Sequence, residues 1–182
     1  MIPSAEASIM ILQALAAPVI LLCFYLDGMV IGKLTPPAAL YVAYVALVTP
    51  ASTHLLAIGV LSAAAATLGQ FTLYRGFDEE SPEFVGIRRT VPYVDRIPLV
   101  VRKRVGKPRM RLVSRLLDRF GGIAFVVTNT IPGIRSLMSI PAGLDQYPVR
   151  RFLLLSMVGN VLYLVLLTAV ALGLVDVVVS LL

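Results

Sequence analysis

Residues 129–143 read NTIPGIRSLMSIPAG, a mostly apolar stretch broken by Pro132, Gly133, Pro141 and Gly143 and carrying one charge, Arg135. Two prolines and two glycines in so short a run exclude one uninterrupted helix, yet its apolar character suits lipid better than water. Backbone broken at membrane depth survives only where protein or a water-filled cavity satisfies its freed N–H and C=O groups. The expected form is therefore a re-entrant hairpin, with residues 121–131 and 137–144 as its arms and IPGIRS as its tip. A guanidinium at the centre of an isolated spanning helix costs roughly 2.5–3.5 kcal/mol unless something pairs with it. Arg135 consequently reads as the functional centre.

The surrounding chain agrees with a membrane setting. Of its 182 residues 58% are hydrophobic and 14% charged, and the mean hydropathy is +0.89. The formal net charge of +6 is confined to residues 75–119, which hold twelve Lys/Arg against six Asp/Glu; the rest of the chain holds four of each. The positive-inside rule assigns that segment to the cytoplasm, where anionic headgroups attract it by about 1 kcal/mol per near-surface cation. No aromatic RNA-binding module or zinc-finger spacing accompanies these cations, so a nucleic-acid partner is not expected. The single cysteine, Cys23, excludes an internal disulfide and a cysteine-built zinc site, and the single histidine, His54, is read as an interfacial polar residue. No metal and no cofactor is expected.

Read in order, residues 9–26 are long and apolar enough for a spanning or deeply inserted helix, with Pro18 as a kink. Asp27 and Gly28 then open a segment punctuated by Gly32, Lys33, Pro36, Pro37 and Pro50. Its apolar run, residues 38–49, is too short to span and suits one arm of a first re-entrant hairpin; a loop followed by a short interfacial helix is the alternative. Residues 55–74 form a spanning helix with Gly59, Ser62, Ala63, Ala66 and Gly69 along it. Such small residues let helices approach closely in lipid, which points to a place inside the bundle. Residues 77–120 are first acidic, then basic, and end with Leu112, Val113, Leu116 and Leu117 at helical spacing between Arg111, Arg115 and Arg119. That pattern fits an amphipathic helix on the cytoplasmic leaflet, with a solvated connector as the alternative before Pro108. Residues 152–175 carry no charge and form the clearest spanning helix, after which Asp176 and a short apolar tail follow.

The chain thus reads as one all-α integral membrane domain over 1–182. Its first half (1–76) and second half (121–182) flank a charged cytoplasmic connector (77–120). Each half pairs a broken apolar hairpin bearing one charge, Asp27 or Arg135, with a full spanning helix. Interrupted segments at corresponding positions in two halves are the sequence pointer to an inverted repeat whose substrate site lies where they meet.

At these residues the sequence resembles the DedA family of membrane proteins, which carries the VTT or SNARE-associated domain. The family pattern runs roughly F-x-R-F-x-P-G-x-R, then small and apolar residues to A-G, then a phenylalanine before a spanning helix. TNTIPGIRSLMSIPAGLDQYPVRRF matches it at Pro132, Gly133, Arg135, Ala142, Gly143 and Phe152, and Gly159 stands where the family has a glycine early in its last long helix. The first half is looser: residues 27–38 stand for the family's E-x-x-x-P-x-P-x-E. Gly69-Gln70 with Tyr74-Arg75-Gly76 stand for its G-D-x-x-x-Y-x-x-G-R. Asn129 replaces the first family arginine, Gln70 and Ala38 replace acids, and Asp27 replaces a glutamate. The resemblance implies paired re-entrant hairpins in a prokaryotic plasma membrane and movement of a lipid phosphate, in bacteria the polyprenyl carrier undecaprenyl phosphate. It also implies coupling to an ion, proton or sodium, while two of the acids for a proton cycle are absent; a homo-oligomer is compatible with it.

On this reading Arg135 binds the phosphate, helped by backbone donors at Pro132-Gly133 and by Asn129. Glycine at the start of a half-helix exposes N–H groups and the positive dipole end. Asp27 pairs with Arg135 when substrate is absent. Gly69, Gly143 and Gly159 are expected at helix contacts. Two alternatives are a non-transporting assembly or homeostasis protein and a pore built from the hairpins. Enzymatic lipid chemistry is not expected, because neither a nucleophile with its base nor a metal-binding carboxylate cluster is legible.

Overall fold

The computed structural model describes residues 5–29, 36–77, 107–131 and 134–181. Among these residues all regular structure is helical and no strand is present. In chain order the helices are α1 (Ala5–Gly28), α2 (Pro37–Val48), α3 (Ser52–Phe77), α4 (Lys107–Phe120), α5 (Ile123–Thr130), α6 (Ser139–Leu144) and α7 (Val149–Leu181). Two stretches, Ser52–Phe77 and Val149–Gly173, are long and apolar enough to cross a membrane. The acidic part of the connector and the Pro132-Gly133 step lie outside the described residues.

Prolines and glycines set the helix limits. α2 starts on Pro36-Pro37, where the missing N–H would be unpaired in any helix, and it ends at Thr49, whose N–H donates to Val45 O. Between α4 and α5 the backbone turns at Gly121, with φ +55, a conformation open to glycine because it lacks Cβ; its N–H donates to Leu117 O at 2.8 Å. Pro141 is the third residue of α6, still within the first turn, where no intrahelical donor is required. The broken stretch is thus two short helices, α5 and α6, joined through turns at 134–138.

α3 and α7 are antiparallel. The C-terminal end of α3 meets the N-terminal end of α7, where Tyr74 stacks on Phe152 at 4.8 Å and donates from its hydroxyl to Tyr147 O at 2.7 Å. Around this pair α1 packs on α3, α2 on α7, α5 on α7 and α6 on α3. Close approach depends on absent side chains. A Cβ on Gly69 would run into the backbone of Tyr25, one on Gly143 would lie 2.5 Å from Tyr74 O, and one on Gly159 would lie 2.7 Å from Asn129 Cβ.

The buried apolar residues form two clusters. One joins Phe24, Tyr41, Val45, Ala63, Ala66, Tyr163 and Leu164; the other joins Tyr74, Phe125, Leu137, Met138, Ala142 and Phe152. Polar side chains separate them: Thr67 and Gln70 lie between Ala66 and Tyr74 on α3, and Ser156 and Asn160 lie between Phe152 and Tyr163 on α7. Outward, the same two helices expose Leu56, Leu61, Leu68, Leu154, Val165 and Leu166. Polar groups inside and leucines outside reverse the arrangement of a helix solvated by water.

The structure corrects the sequence reading at two points. Asp27 does not open a broken segment; it belongs to the last turn of α1, the next proline after Pro18 being Pro36. α7 continues through Asp176 to Leu181, since one aspartate at the exposed end of a helix needs no break. The helix Lys107–Phe120 agrees with the amphipathic spacing of its leucines and arginines, while residues 78–106, where the connector alternative applied, lie outside the described residues.

Candidate functional site

Helix α3 rises about 1.5 Å per residue, so Thr67 and Gln70 lie roughly 10–15 Å from its Phe77 end and about 22–27 Å from Ser52. Asn160 lies near the centre of the Val149–Gly173 stretch. Beside them sits Arg135, only 4% exposed although it lies in a turn rather than a helix. Its Nη1 is 3.3 Å from Asp27 Oδ2, and its Nη2 donates to Asn160 Oδ1 at 3.0 Å. The Tyr163 ring faces the guanidinium at 4.3 Å, and the Phe24 ring lies at 5.8 Å on the way to Tyr41. Ring faces attract a desolvated cation by about 2 kcal/mol. Arg135 and Asp27, 108 positions apart in sequence, are therefore brought together.

Asp27 needs that cation for a second reason. It stands at the C-terminal end of α1, where the helix dipole already concentrates negative charge and where no basic residue of α1 is present. Ser136 completes the cap by donating from Oγ to Asp27 O at 2.7 Å. The turn after Ile131 thus supplies two neighbouring residues, Arg135 and Ser136, to the end of α1.

Beyond Asn160 the bonds between side-chain amides run in one direction. Asn160 Nδ2 donates to Gln70 Oε1 at 3.1 Å and to Thr67 Oγ1 at 2.9 Å. Gln70 Nε2 donates to Asn129 Oδ1 at 2.7 Å and to Arg135 O at 3.4 Å. Asn129 Nδ2 donates to Ser156 O at 3.3 Å. From Arg135 to Asn160 to Gln70 to Asn129, each amide turns its oxygen back along the chain toward the guanidinium and hands its N–H onward. Aligned bonds of this kind reinforce one another in a low-dielectric interior, and the oxygen nearest the cation stabilises its charge.

The chain leaves Arg135 incompletely used. Nε and Nη1 are buried and have no hydrogen-bond partner; the 3.3 Å approach of Asp27 compensates charge without forming a hydrogen bond. A guanidinium has five donors, and planar pairs of them match two oxygens of a phosphate or carboxylate. Chemically the site can hold a positive charge fixed between α1, α3 and α7 and offer donors to an anion. Among the described residues no three His, Cys, Asp or Glu side chains come together as metal ligands would.

Of the residues singled out from sequence, Arg135, Asp27 and Asn129 are joined through this network, and Gly69, Gly143 and Gly159 lie at the helix contacts that support it. Pro132 and Gly133 lie outside the described residues. Sequence reasoning missed Asn160, Thr67 and Tyr163, and it saw in Gln70 only a lost acid. Asn160 had a legible signal, being the sole amide in the charge-free run 152–175. Comparison of the chain with protein-family models, curated proteins and solved structures gives no match.

Proposed function

We propose that the chain is a multi-pass membrane protein that binds a lipid phosphate at Arg135 and carries it across the bilayer. The observation that carries this reading is the buried guanidinium with two nitrogens free of hydrogen bonds, held at mid-depth between two span-length helices. A charge so placed is a functional-site hypothesis by default. The outward leucines and inward amides support the membrane setting. Arg75, Arg119, Arg150 and Arg151 gather where α3 ends and α7 begins, and that end is the cytoplasmic one in this proposal. With α4 on the cytoplasmic leaflet, α5 and α6 are the arms of one re-entrant hairpin, α2 belongs to the other, and the halves are related as an inverted repeat. The resemblance to the DedA family supports the same architecture. It favours the plasma membrane of a prokaryote and a polyprenyl phosphate or related phospholipid as substrate, with proton or sodium coupling through Asp27. No enzymatic step is part of this proposal.

The deciding experiment is transport of a polyprenyl phosphate by purified protein in liposomes. Hydrogen bonds to charged groups contribute about 1.5–3 kcal/mol each, so losing two of them with Arg135→Ala should reduce transport about 100-fold or more. Wild-type transport by that variant would overturn the proposal. One observation favours a second reading, a non-transporting protein in which Arg135 is a staple: Asp27, Asn160 and Tyr163 already contact the guanidinium. A staple predicts that Arg135→Ala loses folded protein, and that Asp27→Arg/Arg135→Asp restores full function; phosphate binding predicts restored stability alone.

A further inference from the structure

On the membrane-facing side of the α3–α7 pair lies an open apolar groove of about 490 Å³. Its walls include Leu55, Leu56 and Gly59 on α3 and Val161, Val165 and Leu172 on α7. Its two hydroxyl-bearing wall residues opposite α3, Tyr41 and Thr168, bond to each other at 2.9 Å, so these hydroxyls already have a partner within the wall. At about 1.5 Å per residue, Val161 to Leu172 spans roughly 16 Å, close to half the ~30 Å hydrocarbon thickness of a bilayer. The groove therefore has the chemistry and the length of one leaflet's worth of hydrocarbon chain.

Its inner end lies next to Asn160 along α7, and the rings of Tyr41 and Phe24 stand between it and the arginine. Val161 follows Asn160 directly, and Leu164 both lines the groove and belongs to the buried cluster beside Tyr163. From the groove wall, Tyr41 meets Phe24 edge-to-face at 6.1 Å, and Phe24 faces Arg135 at 5.8 Å. The outer end, at Ser52 and Leu172, is the end of the bundle away from Arg75, Arg150 and Arg151.

We infer that this groove holds the hydrocarbon chain of the same lipid whose phosphate Arg135 binds, an inference that rests on the phosphate reading of Arg135. The lipid lies with its phosphate at mid-depth and its chain in the leaflet remote from the arginine-rich end. That is the posture of a lipid from the arginine-rich side drawn inward by half the hydrocarbon thickness. Because surrounding lipid is as apolar as the groove, the chain gains shape-dependent packing and no hydrophobic transfer. The groove accordingly sets which chain is accepted, while Arg135 supplies the anchoring.

Two photoreactive hexadecyl phosphates in phosphatidylcholine liposomes containing the full chain test this, one with a diazirine beside the phosphate and one with it near the chain end. The head-end probe should label Phe24, Asn160 or Tyr163, and the tail-end probe should label Leu56, Val165 or Leu172 at least about fivefold above Leu22 and Leu154. A side chain at Gly59 grows into the groove, since a Cβ there meets only Tyr41 Oη at an ordinary 3.5 Å. Gly59→Leu should therefore remove the tail-end preference and keep head-end labelling, whereas Arg135→Ala should remove both. Head-end labelling with tail-end label spread evenly over the lipid-facing residues overturns the groove and leaves the phosphate site standing. Absence of head-end labelling overturns both.

Discussion

Replacing Asn160 with alanine removes the amide through which Arg135 is joined to the rest of the polar layer. Three hydrogen bonds go at once, at 3.0, 2.9 and 3.1 Å, and the residue is fully buried, so no water replaces them. Thr67 keeps its bond to Ala63 O, but Gln70 Oε1 and Arg135 Nη2 are left without partners. Interhelical hydrogen bonds in membrane bundles contribute about 0.6 kcal/mol on average and up to about 1.7, which puts three of them, one charged, at about 2–4 kcal/mol. The folded-to-unfolded ratio should fall about 30- to 1000-fold, read by reversible unfolding in mixed detergent micelles against Leu154→Ala, which loses only lipid contact. The directional chain makes a sharper prediction. Gln70→Ala/Asn160→Ala removes donor and acceptor together, so the double variant should cost about 1–2 kcal/mol less than the sum of the single ones. Strict additivity, or a loss below about 0.5 kcal/mol for Asn160→Ala, would refute the idea that the amides act as one chain.

Further outcomes follow from the same geometry. Arg135→Lys keeps the charge but loses the planar fork, so it should stay folded while lipid-phosphate transport falls at least about tenfold; undiminished transport would show that charge alone suffices. Asp27→Asn should destabilise the protein by about 3–5 kcal/mol through the unpaired buried cation, and thermal unfolding in detergent should show this relieved in Asp27→Arg/Arg135→Asp. Gly159→Ala would bring a methyl to 2.7 Å from Asn129 Cβ and 3.0 Å from Val126 O, so α5 and α7 must separate; a loss of about 1–3 kcal/mol is expected in the same unfolding assay. In a Cys23→Ser background, a cysteine at Asp145 should resist impermeant thiol reagents applied to intact cells while one at Thr53 reacts; the opposite pattern would invert the proposed topology.

What the sequence determined by itself is local. Apolar runs of twenty or more residues made α3 and α7 helices of spanning length, because hydropathy and backbone hydrogen bonding act along the chain without regard to partners. The prolines and glycines of residues 129–143 spoke against one uninterrupted helix there, and Arg135, expensive wherever it is buried, announced itself by charge alone. Asp27 was legible as a charge at an apolar boundary, although its place in the last turn of α1 was not, since a helix end without a capping signal has no sharp mark in sequence. Only the tertiary structure decided the polar layer. Gln70, Asn129 and Asn160 are 31 to 90 positions apart, and a lone amide in an apolar helix carries no mark of the direction it faces. The glycines at 28, 69, 143 and 159 bring the backbones close enough for short amides to meet. The direction of the chain from Arg135 to Ser156 O was fixed last. A guanidinium at one end can only donate and a carbonyl at the other can only accept, and every amide between them must orient accordingly.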